Sequence, residues 1–123
     1  MASLKAYAPY SGFRVGAAIL TGSGDVHAGC NVENASYGAT ICAERAAVCA
    51  LISAHGQQEI TEIVVVTDAV SPWPPCGVCR QVLWEFGPRA RVWWANLQGQ
   101  ASTSLMSELL PHAFSPEDLA DSR

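Results

Sequence analysis

The sequence predicts an α/β domain, and three stretches carry that reading. Residues 13–21 alternate apolar and small side chains and run into Gly22-Ser23-Gly24-Asp25, the pattern of a strand followed by a hairpin turn. Residues 43–52 are good helix formers with no Gly or Pro among them. Residues 62–67 form a β-branched run between that helix and a second helical stretch, which is βαβ-like wiring and favours parallel pairing of the later strands. With 123 residues the chain has the length of one ordinary domain, spanning 1–123 and able to bury a single core.

Taken in order, Tyr7-Ala8-Pro9-Tyr10-Ser11-Gly12 is a turn-rich lead-in. In the strand over 13–21, Val15, Ala17 and Ile19 make one apolar face. Gly16 and Ala18 leave the other nearly free of side chains, as close packing of a helix or ligand requires. The returning strand covers 26–32, antiparallel to the first. A polar, loop-like segment over 31–40 then delivers the chain to the first helix. That helix is almost wholly apolar from Ala46 onward, so it is expected to be buried on more than one side before His55-Gly56 ends it. The run over 62–67 reads as an interior strand covered on both faces. A proline-rich loop over 69–75 precedes a second helix that stops at Gly87-Pro88. Residues 91–95 form a fourth strand and 101–104 a weaker fifth. A short helix over 107–110 is stopped by Pro111, a capped turn covers 114–119, and the tail beyond about 119 is expected to fray.

Composition narrows the function classes. Half the residues are hydrophobic and 15% are charged, a low charge fraction for a small domain, which points to a surface shared with another subunit. The formal net charge is -4, and the seven Lys and Arg are well spread, so no nucleic-acid footprint is expected. No apolar run reaches the length of a membrane span. Met1-Ala2-Ser3-Leu4-Lys5 leads straight into the tyrosine-rich segment without the apolar core of a signal peptide. The five cysteines are an odd number, which suits a reducing cytoplasm where close-spaced cysteines bind metal.

Those cysteines carry the chemistry. Cys42-Ala43-Glu44 opens the first helix, and Pro75-Cys76-Gly77-Val78-Cys79 opens the second. Cys42, Cys76 and Cys79 can supply three sulfur ligands to one Zn2+, leaving a fourth position for water whose protons Glu44 is near enough to move. Helix starts present unpaired N–H groups and a positive dipole end, which favour thiolates there. Arg45 and Arg80, each directly after a motif, can offset more of the sulfur charge. Cys76-x-x-Cys79 alone also suits a redox dithiol or half of a structural zinc knot. A structural site wants a fourth ligand, and neither Cys30, Cys49 nor any of the three His forms a second close-spaced pair with Cys42. The joint pattern of Cys-x-Glu and Pro-Cys-x-x-Cys matches the signature of zinc deaminases. Cys30 and Cys49 are expected to be small buried hydrophobes, and His27, His55 and His112 surface groups.

A wider resemblance covers nearly the whole chain. Phe13-Arg14-Val15-Gly16-Ala17-Ala18, the segment from Gly29 to Gly38, Ile41-Cys42-Ala43-Glu44-Arg45, the segment from Pro75 to Val82, and Leu109-Leu110-Pro111 with Phe114 are similar, in order, to the small homotetrameric cytidine deaminases. The resemblance implies a three-layer fold with a five-stranded mixed sheet between helices, one zinc on Cys42, Cys76 and Cys79, and Glu44 as proton shuttle. It implies free cytidine or deoxycytidine as substrate and a homotetramer as the assembly. Asn31 and Glu33 are then expected at the ribose hydroxyls, Phe13 against the base, Ala35 and Ala43 as further substrate contacts, Arg45 as charge balance, and Tyr37 and Phe114 in a neighbouring subunit's pocket. Read without the resemblance, Asn31 and Glu33 suit a solvated turn and the aromatics suit ordinary packing. Alternation along an extended segment puts Asn31 and Glu33 on one side in either case.

Three features depart from the family pattern. Few residues precede Tyr7, so the family's N-terminal helix is expected to be short or missing; the loop Ser71-Pro72-Trp73-Pro74-Pro75 is bulky; and Trp93-Trp94 replaces smaller strand residues. A deaminase of another cytosine compound and a non-enzymatic zinc-binding subunit both stay open at this point.

Overall fold

The computed structural model describes residues 2–121, and the side chains of residues 2–120. Five strands form one mixed sheet in the order β2-β1-β3-β4-β5: β1 Val15–Thr21, β2 Val26–Cys30, β3 Ile60–Thr67, β4 Arg91–Asn96 and β5 Ala101–Leu105. The first hairpin is antiparallel as expected, with Ala17 opposite Gly29. β3 joins β1 antiparallel and β4 parallel, the parallel pair being the one whose connection contains a helix.

Two helices follow the cysteine motifs, α1 Ala43–His55 and α2 Gly77–Phe86, and α3 Met106–Leu109 and α4 Pro116–Asp121 close the chain. Alternation sorts the strands. Ala17, Ile19, Ile63, Val65 and Val92 point to one face, where they meet Ala43, Ala47, Val48 and Leu51 of α1, Leu83 of α2 and Met106 of α3. Ile19, Leu51, Ile63, Leu83 and Met106 are among the largest fully buried side chains, each contributing about 1.5–3 kcal/mol by leaving water.

The alanine-rich face of α1 lets its backbone lie directly on the sheet. A Cβ on Gly29 would stand 2.6 Å from the Ala47 nitrogen and 2.7 Å from the Ala43 oxygen, so only glycine fits at that point of β2. Gly29→Ala would push α1 outward, and α1 carries Cys42 and Glu44. Gly16 has the corresponding role on the opposite face. Its missing side chain admits Ser3, whose nitrogen lies 2.9 Å from where a Cβ would be. Ser3 belongs to a 3-10 turn, Ala2–Lys5, which covers the Gly16 and Ala18 side of the sheet where the resemblance places a helix.

Several boundaries and burials correct the sequence reading. β1 starts at Val15 because Phe13 donates its N–H to Ser11 Oγ and Arg14 donates to Asp68 Oδ1, in place of ladder partners. β2 ends at Cys30 because Val32 leaves the sheet to exchange two hydrogen bonds with Ile41. β3 is interior to the sheet yet not covered on both faces: Glu62 and Val64 are exposed, since the short turn over 2–5 shields only one end of that side. α1 is buried on one side only, with Cys49, Ser53 and Ala54 exposed. Cys49 is therefore not a buried hydrophobe, and Cys30 is half-buried. His27 is half-buried and packs edge-on against His55 at 5.0 Å, whereas His55 and His112 are exposed as expected. α4 continues through Asp121, so the chain stays helical past 119; residues 122 and 123 of the expected frayed tail lie outside the described residues.

Candidate active site

Cys42 and Cys76 occupy the cap positions immediately before α1 and α2, each with extended backbone, and Cys79 sits in the first turn of α2. Contact between α1 and α2 brings the two helix starts together. The three Sγ atoms lie within 4.8 Å of one another, and Cys79 is fully buried. No described His, Asp or Glu joins that cluster as a fourth ligand.

The electrostatics suit a cation. Cys79 hydrogen-bonds to Cys42, and this, with Arg45 donating Nη2–H to Cys42 Sγ at 3.3 Å, brings the Cys42 thiol down to about 5. The same contact with Cys42, followed by burial, pushes the Cys79 thiol up. Three sulfurs from two helix starts, one cation beside them and no fourth protein ligand fit a zinc with an open position. Arg45 is held firmly protonated by Cys42 and also donates to the Thr40 carbonyl. Arg80 does not share the task expected of it. Its Nε donates to the Pro75 carbonyl and its Nη1 to the Leu109 carbonyl, bracing the loop that leads to Cys76.

Glu44 is 5% exposed, and burial is the main force raising its carboxyl above the ordinary range. It faces a cavity of about 270 Å³ whose lining also includes Cys42, Cys76, Ala43, Phe13, Asn31 and Glu33. Most of the expected site residues therefore meet in one place. Cys79, Arg45, Ala35, Tyr37 and Phe114 are not in that lining, Cys79 being fully buried beside Cys42 and Arg45 reaching the cluster through its bond to Cys42 Sγ. Tyr37 borders an adjacent depression with Tyr10 and Glu33 and packs edge-on to Tyr10 at 5.8 Å. Phe114, 57% exposed, is fixed through its carbonyl, which accepts from Gln81 Nε2.

The far end of the cavity is built from loops. Tyr7 pairs its N–H with the Asn31 carbonyl and its carbonyl with the Glu33 N–H, so the lead-in segment runs alongside 31–33. This places a turn over the Glu33 carboxylate, which accepts the N–H groups of Tyr10 and Ser11 at Oε1 and the Ser11 hydroxyl at Oε2, the last at 2.5 Å. The Ser11 hydroxyl and N–H are the main reasons the Glu33 carboxyl is held below its ordinary value. Asn31 clips the start of β1, its Oδ1 accepting from Val15 N–H and its Nδ2 donating to the Phe13 carbonyl, both at 2.9 Å. One amide hydrogen and one oxygen lone pair remain for a ligand.

Sequence reasoning missed Ser11, Thr40, Thr67 and Trp73, all of which line the cavity. Ser11 lay in a segment read only as a turn. In the sequence Trp73 is only bulk in a loop, and its edge-to-face contact with Phe13, at 4.8 Å between ring centroids, depends on a fold contact that no local pattern signals.

The arrangement has relatives. The family described as "Cytidine and deoxycytidylate deaminase zinc-binding region" matches residues 1–95. A cytidine deaminase of Halalkalibacterium halodurans is 50% identical over 117 residues, covering 94% of this chain and 88% of its own length. One from Mycobacterium tuberculosis is 44% identical over 122 residues, covering 99% and 88%. Among solved structures, the cytidine deaminase of Burkholderia pseudomallei superposes with a TM-score of 0.87 at 49% identity, covering 92% of this chain and 91% of that one. The Mycobacterium tuberculosis enzyme superposes at 0.77 with 45% identity, covering 92% and 88%. The thiol cluster lies within the matched region and the sheet is shared with the solved relatives, so the chain belongs to the cytidine and deoxycytidylate deaminase family of zinc-binding proteins.

Proposed function

We propose that this protein catalyses zinc-dependent hydrolytic deamination of cytidine and deoxycytidine, giving uridine or deoxyuridine and ammonia, and that residues 1–123 act as one catalytic domain. The observation that carries the reading is one cavity lined by Cys42 and Cys76 of the three-thiol cluster, by the buried Glu44, and by Asn31 and Glu33. Cys42, Cys76 and Cys79 hold the zinc, which when bound supplies Lewis acidity and makes a water nucleophilic near neutral pH.

The protein's own groups do the rest. Addition of water to C4 of cytosine breaks the ring's conjugation, so it becomes feasible when N3 is protonated in the same step. Glu44 accepts the water's proton and delivers it to N3, then takes the proton of the new C4 hydroxyl and hands it to the amino group, which leaves as ammonia as the C4–N bond breaks and the C4 carbonyl forms. Its raised pKa matches a group that must both take and give protons. Asn31 and Glu33 bind the ribose hydroxyls, Phe13 packs on the base, Ala43 offers a backbone contact from the cavity lining, and Arg45 balances the sulfur charge. Among the described residues no Lys or Arg lines the cavity, which favours a nucleoside over a nucleotide.

The low charge fraction and the exposed Phe114 and Tyr37 support association through uncovered apolar surface, as the homotetramer. Val64 and Trp93 on the open sheet face, each 39% exposed, add to that surface. Five free cysteines support a reducing, cytoplasmic setting, and among the described residues no helix is long and apolar enough to cross a membrane. The deciding experiment measures uridine formation from cytidine, its monophosphate and free cytosine by ultraviolet absorbance, alongside zinc per chain. One zinc per chain with turnover of cytidine is expected. One zinc with no ammonia from any of the three overturns the reading.

A further inference from the structure

We propose that Trp73 is a specificity-determining residue for the base, closing the cavity mouth against cytosine rings that carry a substituent at C5. The inference rests on the deaminase reading above and adds to it a residue and a substrate limit. Trp73 and Phe13, each 41% exposed, form the outer wall of the cavity, and the deeply buried Glu44 stands in its inner lining. Their rings meet edge to face, 4.8 Å apart at 72°. A third ring between them would need a separation of roughly 7 Å, two carbon contact distances of about 3.5 Å each, so the base cannot slot between the pair and must lie along its inner side.

Both rings are anchored. Phe13 is tied to the ribose end, its N–H on Ser11 Oγ and its carbonyl on Asn31 Nδ2. Trp73 is tied to the metal end, three residues before Cys76 in a loop of prolines. Pro74 follows it, which biases the Trp73 backbone to extended conformations, and Pro72 before it has its own φ fixed. Pro75 is fully buried and its carbonyl accepts Arg80 Nε–H at 2.8 Å. The wall therefore runs from the sugar to the metal with little freedom to retreat. A cytosine with C4 at the metal and N3 toward Glu44 turns its opposite edge, C5 and C6, away from Glu44. A group on C5 then meets the indole.

The test compares kcat/KM for cytidine, 5-methylcytidine and 5-propynylcytidine in the wild type, Trp73→Val and Trp73→Ala. The wild type is expected to lose at least about tenfold from cytidine to the propynyl compound, and both variants to narrow that ratio by about tenfold, chiefly through KM of the bulky substrate, with zinc retained. An unchanged ratio in variants that hold zinc overturns the proposal, as does a wild type that turns over all three equally. Should both variants fail to fold, inhibition of the wild type by uridine and by 5-propynyluridine decides, equal inhibition constants overturning the proposal. Absence of any turnover of cytidine would strike the deaminase reading itself, a result distinct from turnover without size discrimination.

Discussion

The two ends of the cavity are held by different means. At the metal end, every group proposed to act sits on or at the start of a regular helix: Cys42, Glu44 and Arg45 on α1, Cys76 and Cys79 on α2. At the proposed nucleoside end, Asn31 and Glu33 lie in the loop between β2 and α1, held by loop amides and a serine hydroxyl. Helix backbones packed on a sheet move little, so the metal end is suited to fixing reacting atoms, where small displacements cost rate. Loops bonded to one another through side chains can adjust to a sugar, where affinity is the issue. Substitutions at the metal end should therefore act on kcat and zinc, and substitutions at the nucleoside end on KM.

The sharpest way to break this division is Glu44→Gln. The amide keeps the shape but neither accepts nor delivers the proton, and both transfers are lost together. Activity is expected to fall by more than the ~10^2 to 10^4 of a single acid-base contribution, with zinc per chain and the KM of residual activity little changed. Substantial turnover in this variant would remove Glu44 from the chemistry. Next in size are Cys42→Ala, Cys76→Ala and Cys79→Ala. Each leaves two sulfurs beside Arg45 and a cluster too poor in ligands, so zinc measured by atomic absorption should fall well below one per chain and activity with it. Cys49→Ala, an exposed position on the far side of α1, should keep both. Retention of a full zinc complement by any of the three ligand variants would reassign that ligand.

At the other end, Glu33→Gln is expected to raise KM for cytidine about tenfold to a hundredfold, since hydrogen bonds to a charged group are the stronger kind, while zinc stays bound. A fall in kcat with unchanged KM would put Glu33 at the metal end functionally and erase the division. The same substitution has a pH signature. Folding lowers the Glu33 carboxyl below its ordinary value of 4.5, with the Ser11 hydroxyl as first cause. A carboxyl depressed on folding stabilises the native state above its unfolded value and loses that contribution as pH falls through the folded value. The melting-temperature gap between wild type and Glu33→Gln should thus be full near neutrality, a few degrees at most, and should close as pH drops below about 4.5. A gap that widens in acid would contradict the hydrogen-bonding pattern around Glu33.

The same contrast explains what could be read from the sequence. Local physics announces the metal end: a cysteine before a run of helix formers, a glutamate two residues on, and prolines ahead of a second pair. The sheet was legible for a similar reason, because alternation at Val15, Ala17 and Ile19 and the β-branched run at Val64, Val65 and Val66 are properties of short segments. The nucleoside end was half legible. Asn31 and Glu33 stood out by type and spacing, but Ser11 reaches Glu33 across 22 residues and Trp73 meets Phe13 across the fold, contacts that only tertiary structure creates. The burial of α1 is not legible because its sequence is almost wholly apolar from Ala46 onward, and composition does not say whether the outward side meets this chain's own core or another surface.

Exposed apolar surface outside the cavity gives the smallest expected effect. Phe114 lies outside the cavity lining and is 57% exposed, yet the Gln81 bond to its carbonyl holds its backbone against α2. A ring placed so firmly in solvent gains little within one chain. If it completes a neighbour's nucleoside end, Phe114→Ala should raise KM for cytidine by severalfold, leave zinc in place and leave kcat nearly untouched, the pattern of an interaction lost equally from ground state and transition state. Dilution supplies the matching control. Specific activity of the wild type should decline over the same concentration range in which ultracentrifugation shows the oligomer dissociating, because separated chains each lose the neighbour's ring. A fully active monomer with wild-type KM would place the entire nucleoside end within one chain, and Phe114 would then be surface without a part in the site.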